Sequence, residues 1–307
     1  MADEAEGRVS DTGKSGGFAI GAHGFEAQAL APGLYLVATP IGNLRDITLR
    51  ALETLAAADL VLCEDTRHTA KLFAAYGLKT PRSPLHEHNE RERIAGVLRE
   101  IAAGKAVALV SDAGTPLLSD PGFPLVRAAR EQGIAVFAVP GASALLAGLT
   151  VSGLPTDSFA FFGFLPPKTG ARTNALIPLA GRPETLIFYE SPRRLAGSLA
   201  DMANVFGEGR NAAVALELTK RFERVAEGSL AALAARFAGE PQKGEAVILV
   251  AGAGPGGAVA GEDWQAALAS ALETEPLRAA VDAVSARFGL RRKEVYDAAL
   301  ALKAPTR

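Results

Sequence analysis

Residues 34–65 have the sequence LYLVATPIGNLRDITLRALETLAAADLVLCED, and this stretch decides the fold class. Two short apolar runs, LYLVA and DLVLC, enclose the amphipathic segment DITLRALETLAAA, a pattern that predicts a strand, a helix and a second strand. The alternation continues with a helix predicted to end at Gly77 and with the later apolar runs KAVALV and IAVFAV. Such alternation is typical of a parallel sheet covered on both faces. We therefore predict an α/β domain over residues 34–157.

Residues 158–252 predict a second α/β domain. FAFFGF, ETLIFYE, NAAVALEL and GEAVILVAG have the composition of strands, and two helical segments lie among them. Ser191 followed by Pro192 predicts the start of the first of these helices, and Ser229 is a predicted N-cap of the second. The predicted fold class is therefore α/β, with two α/β domains.

A Gly-rich linker is predicted at residues 253–263, followed by a small helix-turn-helix-like appendage at residues 264–307. The apolar residues of the appendage fall on one helical face, namely Leu277, Ala280, Val281, Val284 and Phe288. From Leu277 onward it has seven basic and three acidic residues, a local net charge of +4. A patch of this charge suits contact with phosphate groups.

The first 33 residues are rich in Gly, Ala, Ser and charged residues and contain no sustained apolar period. Such a segment has too little apolar surface to offset the entropy lost on ordering, so residues 1–33 are predicted to be a disordered tail. The segment also lacks the basic start and apolar stretch of a secretory signal.

The composition limits the class of protein. The 307 residues include 32 Lys and Arg against 34 Asp and Glu, so any RNA contact must come from a local patch rather than from an overall positive field. Cys63 is the only cysteine, which excludes an internal disulfide and a multi-cysteine zinc site and favours a reducing, cytoplasmic compartment. The longest uncharged run, residues 132–156, is interrupted by proline and glycine, so no membrane span is predicted.

Three loops built from small residues follow three predicted strands of the first domain. They are TPIGN (residues 39–43), SDAGTP (residues 111–116) and PGASA (residues 140–144). The carboxyl ends of parallel strands meet at one edge of a sheet, and small residues let a ligand approach the main chain, so we expect these loops to converge on one ligand. Small residues are also common in plain α/β connections, but Asp112 at a strand end favours the ligand-binding interpretation.

Clusters of charge follow other predicted strands, in EDTRHT (64–69), ESPRR (190–194) and ELTKRFE (217–223). One such cluster would be an ordinary solvated helix start, but three of them suggest a polar cleft. Candidates for phosphate contact are Arg67, Arg193, Arg194 and Lys220. Asp65 or Lys220 would suit a role in proton removal.

Two histidines, His86 and His88, are residues of a type that binds metal ions. No third or fourth ligand lies at recognisable spacing, so no metal is predicted and a polar loop near the substrate is the preferred interpretation.

The ordered motifs carry a resemblance to a known family. LYLVATPIGNLRDIT, LCEDTRHT, LVSDAGTPLLSDPG, VPGASA, FFGFLPPK, FYESPRR, ELTKRFE and GEAVILVAG resemble the tetrapyrrole methylase superfamily of S-adenosylmethionine-dependent methyltransferases. Within it they are similar to the bacterial 16S ribosomal RNA (cytidine-2′-O)-methyltransferase I family, and the appendage after Trp264 is similar to the C-terminal module of that family. The resemblance implies a two-domain α/β fold with the cofactor in the cleft between the domains, in a homodimer.

The resemblance also implies site residues by motif position. Implied cofactor contacts in the three loops are Pro40, Ile41, Gly42, Asn43, Asp112, Ala113, Gly114, Thr115, Ser143 and Ala144. Further implied contacts at ends of second-domain strands are Tyr189, Leu216, Glu245 and Ala246. Candidate RNA-binding residues are Arg67, His86, Lys168, Arg193, Arg194, Arg291, Arg292 and Lys293.

The predicted function is S-adenosylmethionine-dependent 2′-O-methylation of a cytidine ribose in 16S ribosomal RNA of the small ribosomal subunit. An in-line methyl transfer needs positioning above all, and a base or cation near the developing alkoxide would assist it. Asp65 and Lys220 are the candidate catalytic residues, Lys220 acting as a base only if its pKa is depressed. Three alternatives stay open, namely methylation of a tetrapyrrole, a non-catalytic RNA-binding protein, and DNA binding by the appendage.

Overall fold

The computed structural model describes residues 16–239, 244–254, 264–288, 290 and 292–303. The chain divides into two compact units, Met1–Ala144 and Leu145–Arg307. Among the described helices, none combines the length and the apolar character that crossing a bilayer requires.

The described part of the first unit starts with a two-stranded hairpin and continues with alternating strands and helices. In chain order its elements are β1 (Gly17–Ile20), β2 (His23–Glu26), β3 (Gly33–Val37), α1 (Leu49–Ala57), β4 (Leu60–Cys63), α2 (Thr66–Tyr76), β5 (Arg82–Pro84), α3 (Glu90–Ala102), β6 (Ala106–Val110), α4 (Phe123–Glu131) and β7 (Val136–Val139). A short 3-10 turn at Leu44–Asp46 precedes α1.

The predicted parallel sheet of the first unit is confirmed. Its strand order is β5-β4-β6-β3-β7, and every neighbouring pair is parallel. Successive residues of a strand point to opposite faces, and each face has its own core: Leu34 and Leu62 belong to one, Tyr35 and Cys63 to the other. Cys63 is 0% exposed at the end of β4, and burial raises the pKa of its thiol. Both faces of the sheet are therefore covered, as the near-continuous apolar runs predicted.

The predicted disorder of residues 1–33 is wrong for residues 16–33, while residues 1–15 lie outside the described residues. Strands β1 and β2 form an antiparallel hairpin that turns at Gly21, whose φ is 62°. Phe18 of the hairpin is 4% exposed and joins the core cluster that contains α1 residues such as Leu52. The segment is ordered by packing against α1, a tertiary contact that local composition does not reveal.

The second unit contains a mixed sheet with its own core. In chain order its elements are α5 (Ala144–Val151), β8 (Phe159–Phe164), α6 (Thr169–Leu176), β9 (Thr185–Glu190), α7 (Leu195–Phe206), β10 (Asn211–Leu216), β11 (Arg224–Ser229), α8 (Leu230–Ala238) and β12 (Ala246–Val250). The strand order is β11-β10-β12-β9-β8, in which β8 and β9 are parallel and the other neighbours are antiparallel. The second α/β unit is confirmed, but β11 was not predicted, because RVAEGS is short, polar and lies at a sheet edge.

The division between the units falls earlier than the predicted boundary after residue 157. Gly148 of α5 packs on β12, where an added Cβ would lie 3.2 Å from Val247 Cγ1. Helix α5 therefore belongs mostly with the second sheet, although its sequence follows directly from a loop of the first.

The helix termini of the second unit agree only in part with the predicted signals. Ser229 is confirmed as the N-cap of α8, since its hydroxyl accepts the N–H of Ala232 at 3.2 Å. The predicted start of α7 at Ser191 and Pro192 is wrong, because a turn intervenes and the helix begins at Leu195. A carboxylate explains the difference, since Glu190 accepts the N–H of Ser191 at 2.7 Å and holds it in the turn.

A buried ion pair joins α6 to α7. Arg172 Nε donates to Asp201 Oδ2 at 2.7 Å, and the residues are 5% and 9% exposed. The same guanidinium donates to the carbonyls of Pro166 and Pro167, so it also fixes the segment between β8 and α6. A buried cation with this many partners is well satisfied.

Three helices form the C-terminal module, namely α9 (Trp264–Thr274), α10 (Leu277–Phe288) and α11 (Arg292–Lys303). Leu268, Val281, Val284, Val295 and Ala299 make a separate core cluster. The predicted apolar face is confirmed at Ala280, Val281 and Val284, which are at most 3% exposed. Most of the predicted linker, residues 255–263, lies outside the described residues.

Candidate functional site

The three small-residue loops of the first unit meet, as predicted. Thr39 and Gly114 exchange two main-chain hydrogen bonds of 2.9 and 3.0 Å, which form an isolated antiparallel bridge between the first loop and the second. The Thr115 hydroxyl donates to the carbonyl of Ala142 at 3.3 Å, which joins the second loop to the third. The loops after β3, β6 and β7 thus form one continuous surface at the carboxyl edge of the parallel sheet.

Close main-chain approach explains why this edge is built from small residues. Gly114 has a φ of 86°, and an added Cβ would lie 3.2 Å from Ile41 Cγ2 and 3.6 Å from the carbonyl oxygen of Ala142. An added Cβ at Gly141 would lie 3.0 Å from the Ala38 Cβ. Side chains at these glycines would push the loops apart, so their spacing depends on glycine.

The accessible parts of the loops are suited to ligand contact. Gly42, Asn43 and Ala113 are exposed, whereas Pro40 and Ile41 are buried beneath them. The Asn43 side chain accepts the N–H of Arg45 at 3.1 Å and caps the 3-10 turn. Among these predicted cofactor contacts, Gly42, Asn43 and Ala113 are therefore accessible to a ligand, and Pro40 and Ile41 support them.

Several carboxylates lie close together at the carboxyl edge of the parallel sheet. Asp112 accepts the main-chain N–H of Asp65 at 3.1 Å, which ties the loop after β6 to the start of α2. Burial, followed by the nearby charges of Glu64 and Asp112, raises the pKa of Asp120 to about 6. Burial and then Asp112 also raise the pKa of Glu64. This edge therefore has a negative potential, which favours a cationic ligand.

Asp65 and Arg67 are held together at the start of α2. Asp65 is the N-cap residue and accepts the N–H of Arg67 at 2.8 Å, and its two oxygens accept the guanidinium Nε and Nη2 of Arg67 at 3.1 and 2.8 Å. The hydrogen bonds from Arg67 lower the pKa of Asp65 to about 2. Asp65 is therefore a weak base, and the Arg67 guanidinium, although exposed, already has a carboxylate partner.

His86 lies in the loop before α3. Its main-chain N–H donates to Asn89 Oδ1 at 2.9 Å, and its ring lies 6.0 Å from the ring of His88. The His86 Nδ1 atom is buried and has no hydrogen-bond partner among the residues the structure describes. Over the same residues, no group of three or more His, Cys, Asp and Glu side chains is arranged to hold a metal ion.

The predicted site residues of the second unit also come together, at one edge of the mixed sheet. Leu216 of β10 pairs with Ala246 of β12, and Ala246 pairs with Glu190 of β9, so the three lie in one row across the sheet. Tyr189 is next to this row, and its hydroxyl accepts the N–H of Leu145 at 3.2 Å. Strands β8, β9 and β10 all end at this edge, which we call the second-unit edge.

Lys220 is bound by two carboxylates at the second-unit edge. Its ammonium donates to Glu217 Oε1 at 2.9 Å and to Glu245 Oε2 at 3.1 Å. Burial by itself lowers the pKa of Lys220, but the hydrogen bonds and charges of these carboxylates outweigh it and the pKa is raised. A raised pKa keeps Lys220 protonated, whereas Lys220 would act as a base only if its pKa were depressed. The geometry therefore favours a fixed cation.

Gly244 makes the arrangement around Lys220 possible. It has a φ of 90°, and an added Cβ would collide with the Glu217 carboxylate. Glu217 also accepts the main-chain N–H of Glu245 at 3.0 Å, which joins the hairpin loop after β10 to the start of β12.

The remaining predicted RNA contacts differ in their surroundings. Arg194 pairs with the buried Glu190 carboxylate at 2.5 Å and donates to the carbonyl of Leu165, which indicates a positioning role. Arg193 and Lys168 are exposed at the second-unit edge. In the C-terminal module, Arg292 pairs with Asp282 at 2.6 Å and Lys293 is exposed, while Arg291 lies outside the described residues.

Sequence reasoning missed several residues of these edges. Asp120 and Glu64 lie beside Asp112, but only the folded chain reveals their proximity. Phe222 and Phe164 are 72% and 58% exposed at the second-unit edge. The signal for Phe222 was available, since it is an aromatic residue inside a loop that otherwise consists mainly of charges.

Comparison with known proteins identifies the family. Residues 33–234 match the family described as Tetrapyrrole (Corrin/Porphyrin) Methylases, and they make up more than half of the chain. The chain belongs to this family. Residues 258–303 match a second family, the RsmI C-terminal HTH domain. The resemblance inferred from the sequence motifs is therefore confirmed for both parts.

Relatives in this methylase family align over almost their whole length. The chain is 48% identical over 287 residues to the Ribosomal RNA small subunit methyltransferase I of Mesorhizobium japonicum, covering 92% of this chain and 97% of that protein. It is 47% identical over 271 residues to the protein of the same name from Pseudomonas aeruginosa, covering 87% and 96%.

Solved structures support the fold. A uroporphyrin-III C-methyl transferase from Thermus thermophilus, complexed with S-adenyl homocysteine, has a TM-score of 0.50 at 23% identity and covers 71% of this chain and 96% of that chain. A diphthine synthase has a TM-score of 0.57 at 16% identity and covers 72% and 90%. At these identities the likeness establishes the methylase-type fold alone.

Proposed function

We propose that this chain transfers a methyl group from S-adenosylmethionine to the ribose 2′-hydroxyl of a cytidine in 16S ribosomal RNA of the small ribosomal subunit. The observation that carries the proposal is the similarity along 97% of a Ribosomal RNA small subunit methyltransferase I. The match of the C-terminal module to the RsmI domain supports the same branch of the family. A small-subunit substrate would place the protein in the cytoplasm.

The joined loops of the first unit fit the proposed methyl donor. Gly42, Asn43 and Ala113 are exposed, and glycines at 114 and 141 keep the loops close together. S-Adenosylmethionine supplies an electrophilic methyl group on a sulfonium cation, and its ammonium and carboxylate groups leave the molecule with a net positive charge. The carboxylates of Asp112, Glu64 and Asp120 give this edge the negative potential that such a cation needs.

The chain's own residues contribute positioning and charge rather than covalent chemistry. Lys220 is an ammonium fixed by Glu217 and Glu245, and in this role it would stabilise the negative charge that develops on the ribose oxygen. Asp65, with a pKa of about 2, positions Arg67 and the start of α2 instead of accepting a proton. In-line transfer depends mainly on holding the reacting atoms in line, which rigid loops achieve.

A homodimer is part of the proposal. β7 is an edge strand of the first sheet, and its Phe137 is 38% exposed beside the exposed Ala138. An edge strand with an exposed aromatic residue suits burial against another protein surface. Light scattering after size-exclusion chromatography gives the mass, and a monomeric mass at micromolar concentration would contradict the dimer.

Labelled methyl transfer tests the reaction. The protein is incubated with methyl-labelled S-adenosylmethionine and either small ribosomal subunits that lack the modification or uroporphyrinogen. We expect label in the RNA at a position that resists alkaline hydrolysis, because a 2′-O-methyl group blocks attack on the adjacent phosphodiester. Label in uroporphyrinogen alone would instead establish the tetrapyrrole alternative.

A substitution at Lys220 tests its role as a fixed cation. Lys220→Met should lower kcat by about 100-fold, as expected for loss of one group that stabilises a developing oxyanion, with the Kd for S-adenosylmethionine unchanged. Lys220→Arg keeps the charge and should retain more of the activity. Equal rates for Lys220→Met and wild type would remove Lys220 from the catalytic proposal.

A further inference from the structure

The second-unit edge exposes two large aromatic side chains beside basic residues. Phe222 is 72% exposed in the loop between β10 and β11, and Phe164 is 58% exposed at the end of β8. Both lie at the edge where β8, β9 and β10 end. With strands about 4.8 Å apart, the ends of β10 and β8 are separated by three strand spacings, about 14 Å.

The loop that carries Phe222 is built to hold it in place. Glu217 and Thr219 adopt left-handed conformations, with φ of 53° and 65°. The Thr219 N–H donates to the Glu223 carboxylate at 2.5 Å, and Lys220 joins Glu217 to Glu245. Because the loop is fixed on both sides of Phe222, exposure of this ring is a feature of the fold rather than of a mobile segment.

Phe164 is also fixed. Its ring packs edge-to-face on Tyr189 at 5.6 Å between centroids, and Tyr189 in turn packs on Phe161. The ring is thus oriented while more than half of its residue surface stays exposed to solvent.

Basic side chains without a carboxylate partner lie beside these rings, whereas the nearby carboxylates Glu217, Glu245 and Glu223 are held by Lys220 and by the Thr219 N–H. The Arg221 guanidinium lies 5.6 Å from the centre of the Phe222 ring, and Arg193 and Lys168 are exposed along the same edge. Within the described part of the chain, none of these three side chains forms an ion pair with a carboxylate. The whole chain has a net charge of −2, so these unpaired cations are a local feature of this edge that suits contact with anionic groups.

We propose that Phe222 and Phe164 are stacking platforms for unpaired bases of the RNA substrate, with Arg221, Arg193 and Lys168 contacting its phosphates. The proposal rests on the proposed function and adds the form in which the RNA is recognised, a single strand rather than a duplex. Unpaired bases stack on aromatic rings and on arginine planes, while phosphates pair with nearby cations. Protein interfaces also use aromatic and arginine side chains, but cations that lack a carboxylate partner beside an exposed ring suit the phosphates and bases of a nucleic acid strand.

The test measures stacking directly. Wild-type protein is titrated into a single-stranded RNA of about 15 nucleotides that has the small-subunit sequence around the target cytidine and contains 2-aminopurine next to it. Stacking on an aromatic ring quenches the fluorescence of 2-aminopurine. We expect quenching with wild type, a rise in Kd of about 5- to 100-fold with Phe222→Ala, and recovery with Phe222→Trp.

Three controls separate stacking from other causes. Phe222→Leu keeps apolar surface without an aromatic face and should behave like Phe222→Ala. Phe123→Ala removes a ring of similar exposure, 64%, from the first unit and should leave the Kd unchanged. The Kd for S-adenosylmethionine, measured by calorimetry, should be the same in all variants. Phe164→Ala should weaken RNA binding independently of Phe222.

Other outcomes would overturn the inference. Equal RNA affinity and methyl transfer for Phe222→Ala and wild type would exclude stacking while leaving the proposed function intact. A change of molecular mass in Phe222→Ala would assign the ring to a contact between copies of the chain. A preference of the protein for duplex over single-stranded RNA would also exclude stacking of unpaired bases on Phe222. If wild type methylates no RNA at all, the proposed function fails and this inference fails with it.

Discussion

The pKa of Asp120 depends on the burial and the charges around this single side chain. Asp120 follows Leu117 and Ser119, two non-glycine residues with left-handed φ values of 75° and 70°. Burial and the charges of Glu64 and Asp112 raise its pKa to about 6, against a smaller opposing effect of a hydrogen bond from Ser111. At neutral pH the folded protein therefore holds an ionised carboxylate where the negative charge is disfavoured.

Replacing this carboxylate should stabilise the protein in a pH-dependent way. The pKa of Asp120 is 3.8 when unfolded and about 6 when folded, so its favourable contribution is present below pH 4 and is lost as the pH rises through 6. A shift of this size corresponds to about 3 kcal/mol, and solvent screening of this half-buried carboxylate reduces it. Asp120→Asn should therefore raise the free energy of unfolding by about 1 kcal/mol at pH 7.5, with the benefit shrinking toward pH 4. Urea unfolding between pH 4 and pH 7.5 measures this change in the free energy of unfolding, with Asp157→Asn on an exposed loop as the matched control. A benefit independent of pH would contradict this explanation.

Gly114 links backbone conformation to the proposed donor site. With a φ of 86° and an added Cβ 3.2 Å from Ile41 Cγ2, Gly114→Ala should lower the free energy of unfolding by about 1–2 kcal/mol. It should also raise the Kd for S-adenosylmethionine, because the first two loops would separate. Denaturant unfolding and calorimetry measure the two effects. Gly181→Ala, where an added Cβ meets open space, is the control, and equal behaviour of the two variants would be inconsistent with the loop geometry.

Two ion pairs on different helices differ in how far they are buried. The Arg172–Asp201 pair between α6 and α7 is buried, whereas the Arg127–Glu131 pair on α4 has side chains 70% and 62% exposed. Removing one partner of a buried pair leaves an uncompensated charge, while an exposed pair contributes little.

This contrast predicts very different costs for similar substitutions. Asp201→Ala should lower the free energy of unfolding by about 3 kcal/mol or more, because Arg172 would stay buried without its carboxylate. Glu131→Ala should change it by less than about 0.5 kcal/mol. Chemical denaturation of both variants measures the difference. Comparable losses in the two would show that the buried pair is not maintained in solution.

Elements with local signals were predictable, and elements that depend on distant partners were not. The strands of the first sheet are short apolar runs that are buried on both faces, so their parallel arrangement followed from the sequence. The hairpin of β1 and β2 was missed because Phe18 is ordered by contact with α1. The three loops were found because they follow strands, but the pKa values of Asp120 and Lys220 depend on partners that only folding brings near, such as Glu64 and Glu245.

At the scale of the whole molecule, each part has its own core. The two sheets have separate clusters, and the C-terminal module buries Leu268, Val281 and Val295 among its own helices. Removal of the module should therefore leave the rest of the chain folded.

A chain that ends at Gly254 tests what the basic module contributes. It should bind S-adenosylmethionine with unchanged Kd but bind small-subunit RNA more weakly. Its affinity for RNA should also depend less steeply on salt, because fewer phosphates would be neutralised. Calorimetry and RNA binding at several salt concentrations provide the measurements. An unchanged salt dependence would exclude phosphate contact by the module.

The lone thiol of Cys63 provides a built-in reporter of local opening. It is fully enclosed at the end of β4, in the interior of the first sheet, and the rest of the chain has no other cysteine. Thiol-specific reagents attack only an accessible thiolate, so their reaction with the native protein waits until the core on this face of the sheet, which includes Leu52 and Phe73, opens locally. The labelling rate therefore reports local opening of the first unit, and protection by an added ligand would reveal binding to that unit without any engineered probe.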